Sequence, residues 1–161
     1  MNKFVIAAIS LLGFGTLASA NELKETNISL ETAKEIASEG VKACTAKGYN
    51  VSVAVVDRAG ILRAFERSDL AGSHTVDAAR AKAFTSASSR VPTGMMAENV
   101  QKKPGAAQMV SIPGFLVLAG GVPIKIGDET IGAVGIGGAP GGNLDEACAL
   151  EALDKVKEKL K

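Results

Sequence analysis

Tryptophan is absent from this 161-residue chain, and aromatic residues make up only 4% of it. Past the first twenty residues the aromatic side chains are Tyr49, Phe65, Phe84 and Phe115. A core without large rings must be assembled from Ala, Val, Ile and Leu, whose small volumes permit close contact between elements. The same scarcity removes the aromatic box that would hold a sugar. Charge of one sign is missing as well: 18 Lys and Arg stand against 17 Asp and Glu. No basic cluster is available to neutralise phosphates, which excludes nucleic acid as a partner. Cysteine occurs twice, with no C-x-x-C spacing, so the motifs of thioredoxin chemistry and covalent haem attachment are absent.

Catalytic motifs are missing too. No G-x-x-x-x-G-K-[ST], H-E-x-x-H or G-x-S-x-G sequence occurs, so hydrolase and nucleotide chemistry have no visible machinery. Gly132, Gly135 and Gly137 lie close together, but they sit in a strand meander and not in the βαβ unit that dinucleotide binding requires.

The one long apolar run, Phe4 to Leu17, follows the basic Lys3 and precedes Ala18-Ser19-Ala20. This pattern predicts a secretory signal peptide over residues 1–20 and a mature chain beginning at Asn21. The run is shorter than the roughly 20 residues of a spanning helix, and no second one follows. The expectation is a periplasmic or secreted protein with one domain over residues 21–161 and no membrane span after cleavage. In an oxidising compartment two readings of Cys44 and Cys148 stand open: a disulfide, or two buried thiols on the inner faces of their helices.

Along the chain, Ser29 is placed to cap a helix in which Leu30, Ala33, Ile36, Ala37, Val41 and Cys44 recur at helical spacing, ended by Gly48. Val51–Asp57 and Ile61–Glu66 read as strands joined by Arg58-Ala59-Gly60. A helix follows over His74–Arg90, then a short one from Thr93 to about Lys102. Lys103–Gly114 reads as an irregular ordered loop and a binding-site candidate. Phe115–Leu118, Val122–Ile126 and Thr130–Ile136 form an expected three-strand meander, with Gly127-Asp128 as a tight turn. The glycine-dense loop after it reads as ligand-facing, because backbone there can approach a bound group closely. Asn143 is the expected cap of a terminal helix, with Glu146 in capping-box position. The element order predicts an α+β, two-layer domain: an antiparallel sheet backed by helices.

The segments VSVAVVDRAGILRAFERSD, AARAKAFTSA, Pro92-Thr93, GGVPIKIGDETIGAVGIGGA and DEACA, in that order, resemble the GlcG/HbpS family of haem-binding or haem-degrading-type proteins, which includes the PduO C-terminal domain. The resemblance covers nearly all of residues 21–161. It implies a profilin-like fold with a five-stranded antiparallel sheet, assembly into homo-oligomers and haem as cofactor. Together with the leader it implies an exported haem-binding protein, in haem or iron sensing or haem handling, with a sensor protein as a possible partner. Any haem breakdown would rest on the iron. The alternative is an accessory or sensor module that binds a small organic anion or a partner protein without haem.

His74 is the only histidine, and imidazole is the commonest protein ligand to haem iron, so it is the first candidate for the metal. Arg67 and Lys82 occupy positions that resemble family motifs, where a cation can pair with a propionate. Each has a competing structural reading: a surface or capping histidine, and an ion pair of Arg67 with Asp69 or Asp57. Tyr49 could serve as a phenolate ligand but suits packing at a strand entrance. Met95, Met96 and Met109 suit adaptable apolar filling. Asp145 and Glu146 fall in a first helical turn, where capping is the default role.

Overall fold

The structure, a computed structural model, describes residues 22–161. The leader expected over residues 1–20 lies outside them. Helix α1 (Leu30–Thr45) starts at the capping Ser29, whose hydroxyl accepts from the Thr32 amide at 3.1 Å. Strands β1 (Ser52–Asp57) and β2 (Leu62–Arg67) form the first hairpin. The Asp57 carboxylate accepts from the amides of Ala59 and Ile61 and so shapes their turn. Helices α2 (His74–Ser89) and α3 (Thr93–Lys102) follow, then a 3-10 segment over Pro104–Ser111. Strands β3 (Gly121–Ile126) and β4 (Glu129–Gly137) enclose the two-residue turn Gly127-Asp128. Helix α4 (Gly142–Lys155) and a short 3-10 turn complete the chain. Among the described residues no helix is long and apolar enough to cross a membrane.

The sheet runs β2-β1-β4-β3 and is antiparallel throughout. This agrees with the α+β reading and corrects it in two respects. The sheet has four strands, not five. Phe115–Leu118 is not a strand because its polar groups are used elsewhere: the Leu116 amide donates to Thr85 Oγ1 at 2.8 Å, and the Leu118 amide turns back to the Leu116 carbonyl. Phe115 packs edge-on against Phe84 of α2, with ring centroids 6.1 Å apart.

The second correction concerns layers. Helices cover both faces of the sheet, so the domain has three layers and not two. One face carries Val53, Val55, Val122, Ile124, Val134 and Ile136 against α1 and α4. The other carries Ala54, Val56 and Ala133 against Ala79, Ala83 and Ala87 of α2. Both faces of β1 and β4 are therefore apolar, which replaces the alternation expected of a half-exposed sheet. Between α1 and α4 the open cysteine question resolves as a disulfide: Cys44 and Cys148 are bonded, with Cα atoms 5.5 Å apart and both side chains buried.

Gly135 explains how α2 lies so close. A Cβ there would stand 2.2 Å from the Ala79 carbonyl oxygen and 2.4 Å from the Ala83 nitrogen. The glycine-dense stretch thus admits a helix backbone. The expectation that it faces a ligand is corrected for Gly135, because α2 fills that space. Helix α4 begins at Gly142 with Gly141 as its cap residue, so Asn143 lies inside the first turn and is not the cap.

Candidate functional site

Helix α2 and the β1–β2 hairpin enclose a groove of about 420 Å³. Val56 and Leu62 form its sheet side; Asp77, Arg80, Ala81 and Phe84 form its helix side; Pro113-Gly114 closes one end. His74, Asp77, Ala81 and Phe84 recur at i, i+3, i+7 and i+10, which places them along one flank of α2. The groove is amphipathic. Leu62, Ala81 and Phe84 provide apolar wall, and Arg80 a guanidinium.

His74 and Arg67 come to the same end of this flank. Arg67 is the cross-strand partner of Ser52, and the Ser52 hydroxyl lies 2.7 Å from that of Thr75, the residue after His74. Both His74 and Arg67 are exposed. The Arg67 guanidinium donates to the Ala71 carbonyl in the turn that leads into α2. Its expected competitors do not engage it; Asp57 is held by its own turn.

Lys82 goes elsewhere. Its side chain is 2% exposed, and its ammonium donates to Asp145 Oδ2 at 2.7 Å and to the Ile136 carbonyl at 2.9 Å. Asp145 completes the arrangement by accepting from the Ala139 amide at 2.9 Å. Burial pushes the Asp145 carboxyl above the ordinary carboxylate range, while the Lys82 ammonium and the Ala139 amide pull it back. Lys82 is thus committed to an internal pair, and an outside carboxylate has no path to it in this conformation. Gly120 makes room for that pair, since a Cβ there would lie 2.9 Å from Lys82 Nζ and 2.8 Å from Asp145 Cβ. The capping roles expected of Asp145 and Glu146 are corrected: both reach across to other segments, and Glu146 Oε2 accepts from the amides of Gly94 and Gly120 at 3.2 and 3.3 Å.

Arg80, Phe84 and Leu62 were not singled out by sequence reasoning. Phe84 shares the helical flank of His74, a spacing visible in HTVDAARAKAF, and Arg80 stands beside that flank, but only the hairpin opposite shows that it borders an opening. Met96 is buried and serves as filling, whereas Met95 is 53% exposed. Tyr49 packs against the α1–α4 side of the core.

The sequence model of the family described as "Haem degrading protein HbpS-like" matches residues 28–154, from the residue before the α1 cap into the last turn of α4. The chain belongs to this HbpS-like family. Protein GlcG of Escherichia coli strain K12 is 32% identical over 109 residues, 68% of this chain and 80% of GlcG. The crystal structure of a double mutant of Streptomyces reticuli HbpS superposes with a TM-score of 0.80 at 35% identity, covering 93% of this chain and 98% of that one. A crystal structure of PduOC in complex with haem shares the fold, with a TM-score of 0.71 at 21% identity over 80% of this chain and 94% of that one. Membership in the HbpS-like family agrees with the resemblance read from the five motifs.

Proposed function

We propose that this chain is an exported, homo-oligomeric haem-binding protein that carries its ligand in the groove between α2 and the β1–β2 hairpin. The observation that carries this reading is an apolar wall beside the Arg80 guanidinium in this groove, with the exposed His74 and Arg67 outside its lining, toward the N-terminal end of α2. His74 would bind the iron from the α2 end, and Arg67 and Arg80 would neutralise propionates. The family's haem-related description and the haem complex of PduOC support the choice of ligand.

The donor set fits. Among the described residues no three His, Cys, Asp or Glu side chains gather as a cage for a bare ion. A lone histidine suits an iron whose remaining ligands come from a macrocycle. Leu62, Ala81 and Phe84 suit the apolar ring body, and cations near the rim suit its carboxylates. Haem breakdown would use the redox chemistry that bound haem supplies; the chain's residues would orient it and control its surroundings. Apolar side chains at the same edge of the sheet, Ile61 at 64% exposure and Leu70 at 82%, support association with further copies. The leader pattern read in the sequence over residues 1–20 supports a periplasmic or secreted location, where a haem-loaded form could be read by a sensor protein.

Titration of the purified chain with hemin tests the reading. The expected result is a shifted Soret band that saturates at one haem per chain. His74→Ala should alter that band, and Ala81→Trp, which fills the groove, should abolish saturable uptake while the far-UV circular dichroism stays unchanged. Identical hemin spectra and affinities in all three proteins would overturn the site.

A further inference from the structure

A second groove, of about 590 Å³, lies between α3 and α4 at the opposite edge of the sheet and shares no lining residue with the first. Its volume falls in the range of about 300–1,000 Å³ typical of small-molecule sites. Met95 of α3 and Leu150 of α4, each 53% exposed, form apolar walls, and Ala119 and Ala147 extend them. Helix α4 presents Asn143, Glu146, Ala147 and Leu150 to this opening at i, i+3, i+4 and i+7, a single helical stripe.

Glu146 is the distinctive group. Its Oε2 accepts from two main-chain amides, Gly94 at the start of α3 and Gly120 at the entry to β3. One role of this contact is structural: the α3 cap residue is Pro92, which has no side-chain acceptor, and Glu146 serves in its place. That accounts for one oxygen. The other has no hydrogen-bond partner and no paired cation among the described residues. No Lys or Arg lines the groove. The other carboxylate in the lining, Glu98, pairs with Lys102 on the exposed side of α3 at 2.9 Å, and the buried Lys82 is held by Asp145.

We propose that the α3–α4 groove is a ligand site for an apolar organic amine, with Glu146 as the counter-ion to its ammonium group and Met95 and Leu150 against its hydrocarbon body. The two main-chain amides hold the carboxylate in one orientation before a ligand arrives, so little side-chain freedom is lost on binding. The sign of charge selects the class. A carboxylate ligand would meet Glu146 with no cation in the lining to offset the repulsion, and a neutral alkyl chain would gain nothing from the free oxygen. The inference is independent of haem, since it concerns different residues at the other sheet edge.

Calorimetry and amide NMR on the full mature chain test it, using n-octylammonium, n-octanoate and 1-octanol as probes. Octylammonium should bind at one site per chain and shift the Gly94 and Gly120 amides, with the other two at least about tenfold weaker. Glu146→Gln keeps a carbonyl oxygen for those amides, so the melting temperature should hold while octylammonium affinity drops by about tenfold or more. Leu150→Gln, on the exposed side of α4, should weaken the amine without affecting folding. Equal binding of the three probes, or octylammonium affinity unchanged in both variants, would overturn the proposal.

Discussion

Lys82 Nζ and Asp145 Oδ2 stand 2.7 Å apart, joining the helix that covers one face of the sheet to the helix that covers the other. The two side chains are 2% and 4% exposed. The pair also holds the start of the α4 segment, through the Ala139 amide on Asp145, and the end of β4, through the Ile136 carbonyl on Lys82. Two buried charges offset each other's desolvation only while both are present.

Removing one partner should therefore cost more than removing both. Lys82→Met is expected to lower unfolding free energy by about 3–5 kcal/mol, because Asp145 is left charged and unpaired in the interior. The double variant Lys82→Met with Asp145→Leu should recover a large part of that loss. Urea denaturation of the four proteins of the cycle measures the coupling; additive effects would contradict it.

The acid side of the pair has a defined sign. Burial raises the Asp145 pKa above its ordinary value of 3.8. A group with a higher pKa in the native state binds protons on folding, so its contribution is fully present below the unfolded value and is lost as pH rises through the native one. The unfolding free energy of the native sequence, relative to Asp145→Asn, should fall as pH increases from about 3 through that window. A rise over the same range would show that the Lys82 attraction outweighs burial.

Cys44 and Cys148 close a sequence separation of 104 residues and fasten α1 to α4. Chain-entropy reasoning assigns such a loop about 4–5 kcal/mol. Replacing both cysteines by alanine should lower the unfolding free energy by roughly that amount, and reduction of the native protein should do so only after the core opens, because both sulfurs are buried. Unfolding curves with and without reductant check both statements.

Gly135→Ala places a methyl group against the backbone of α2, 2.2 Å from the Ala79 carbonyl oxygen. Neither partner is a flexible side chain, so the helix must move off the sheet. The expected loss is about 3 kcal/mol, the upper end of the usual range for overpacking. The α2–hairpin groove would be displaced with the helix, so hemin affinity should fall together with stability. Melting curves and Soret titration on the same preparation report both.

Arg80→Glu offers a separate test of the proposed haem site. Arg80 is exposed, so its replacement should leave the melting temperature within a few degrees. Hemin affinity should drop by about tenfold if a propionate lies near this guanidinium, and the drop should shrink at high salt. Unchanged affinity at low salt would remove Arg80 from the site.

Local signals were sufficient for most elements. Ser29 at the α1 start, Asp57 and Gly60 in the first hairpin and Gly127-Asp128 in the second act within a few residues of themselves, and each stands where the pattern placed it. Phe115–Leu118 has a strand-like composition that is overridden by Thr85, thirty-one residues away, which takes the Leu116 amide. Lys82 shows the same limit within the site. Its spacing in AARAKAF is compatible with an outward ligand contact, and only the approach of α4 makes it half of a buried pair.

The sequence by itself determined the antiparallel α+β character, the alkyl core and the family, because these depend on periodicity, turn chemistry and ordered motifs along one chain. The tertiary structure alone decided the rest. Helices on both faces make three layers, a disulfide joins α1 to α4, Lys82 turns inward to Asp145, and two grooves open at opposite edges of the sheet. Each of these is a meeting of residues distant in sequence, and which distant partner a side chain meets is set by packing of whole elements, a property no local pattern contains.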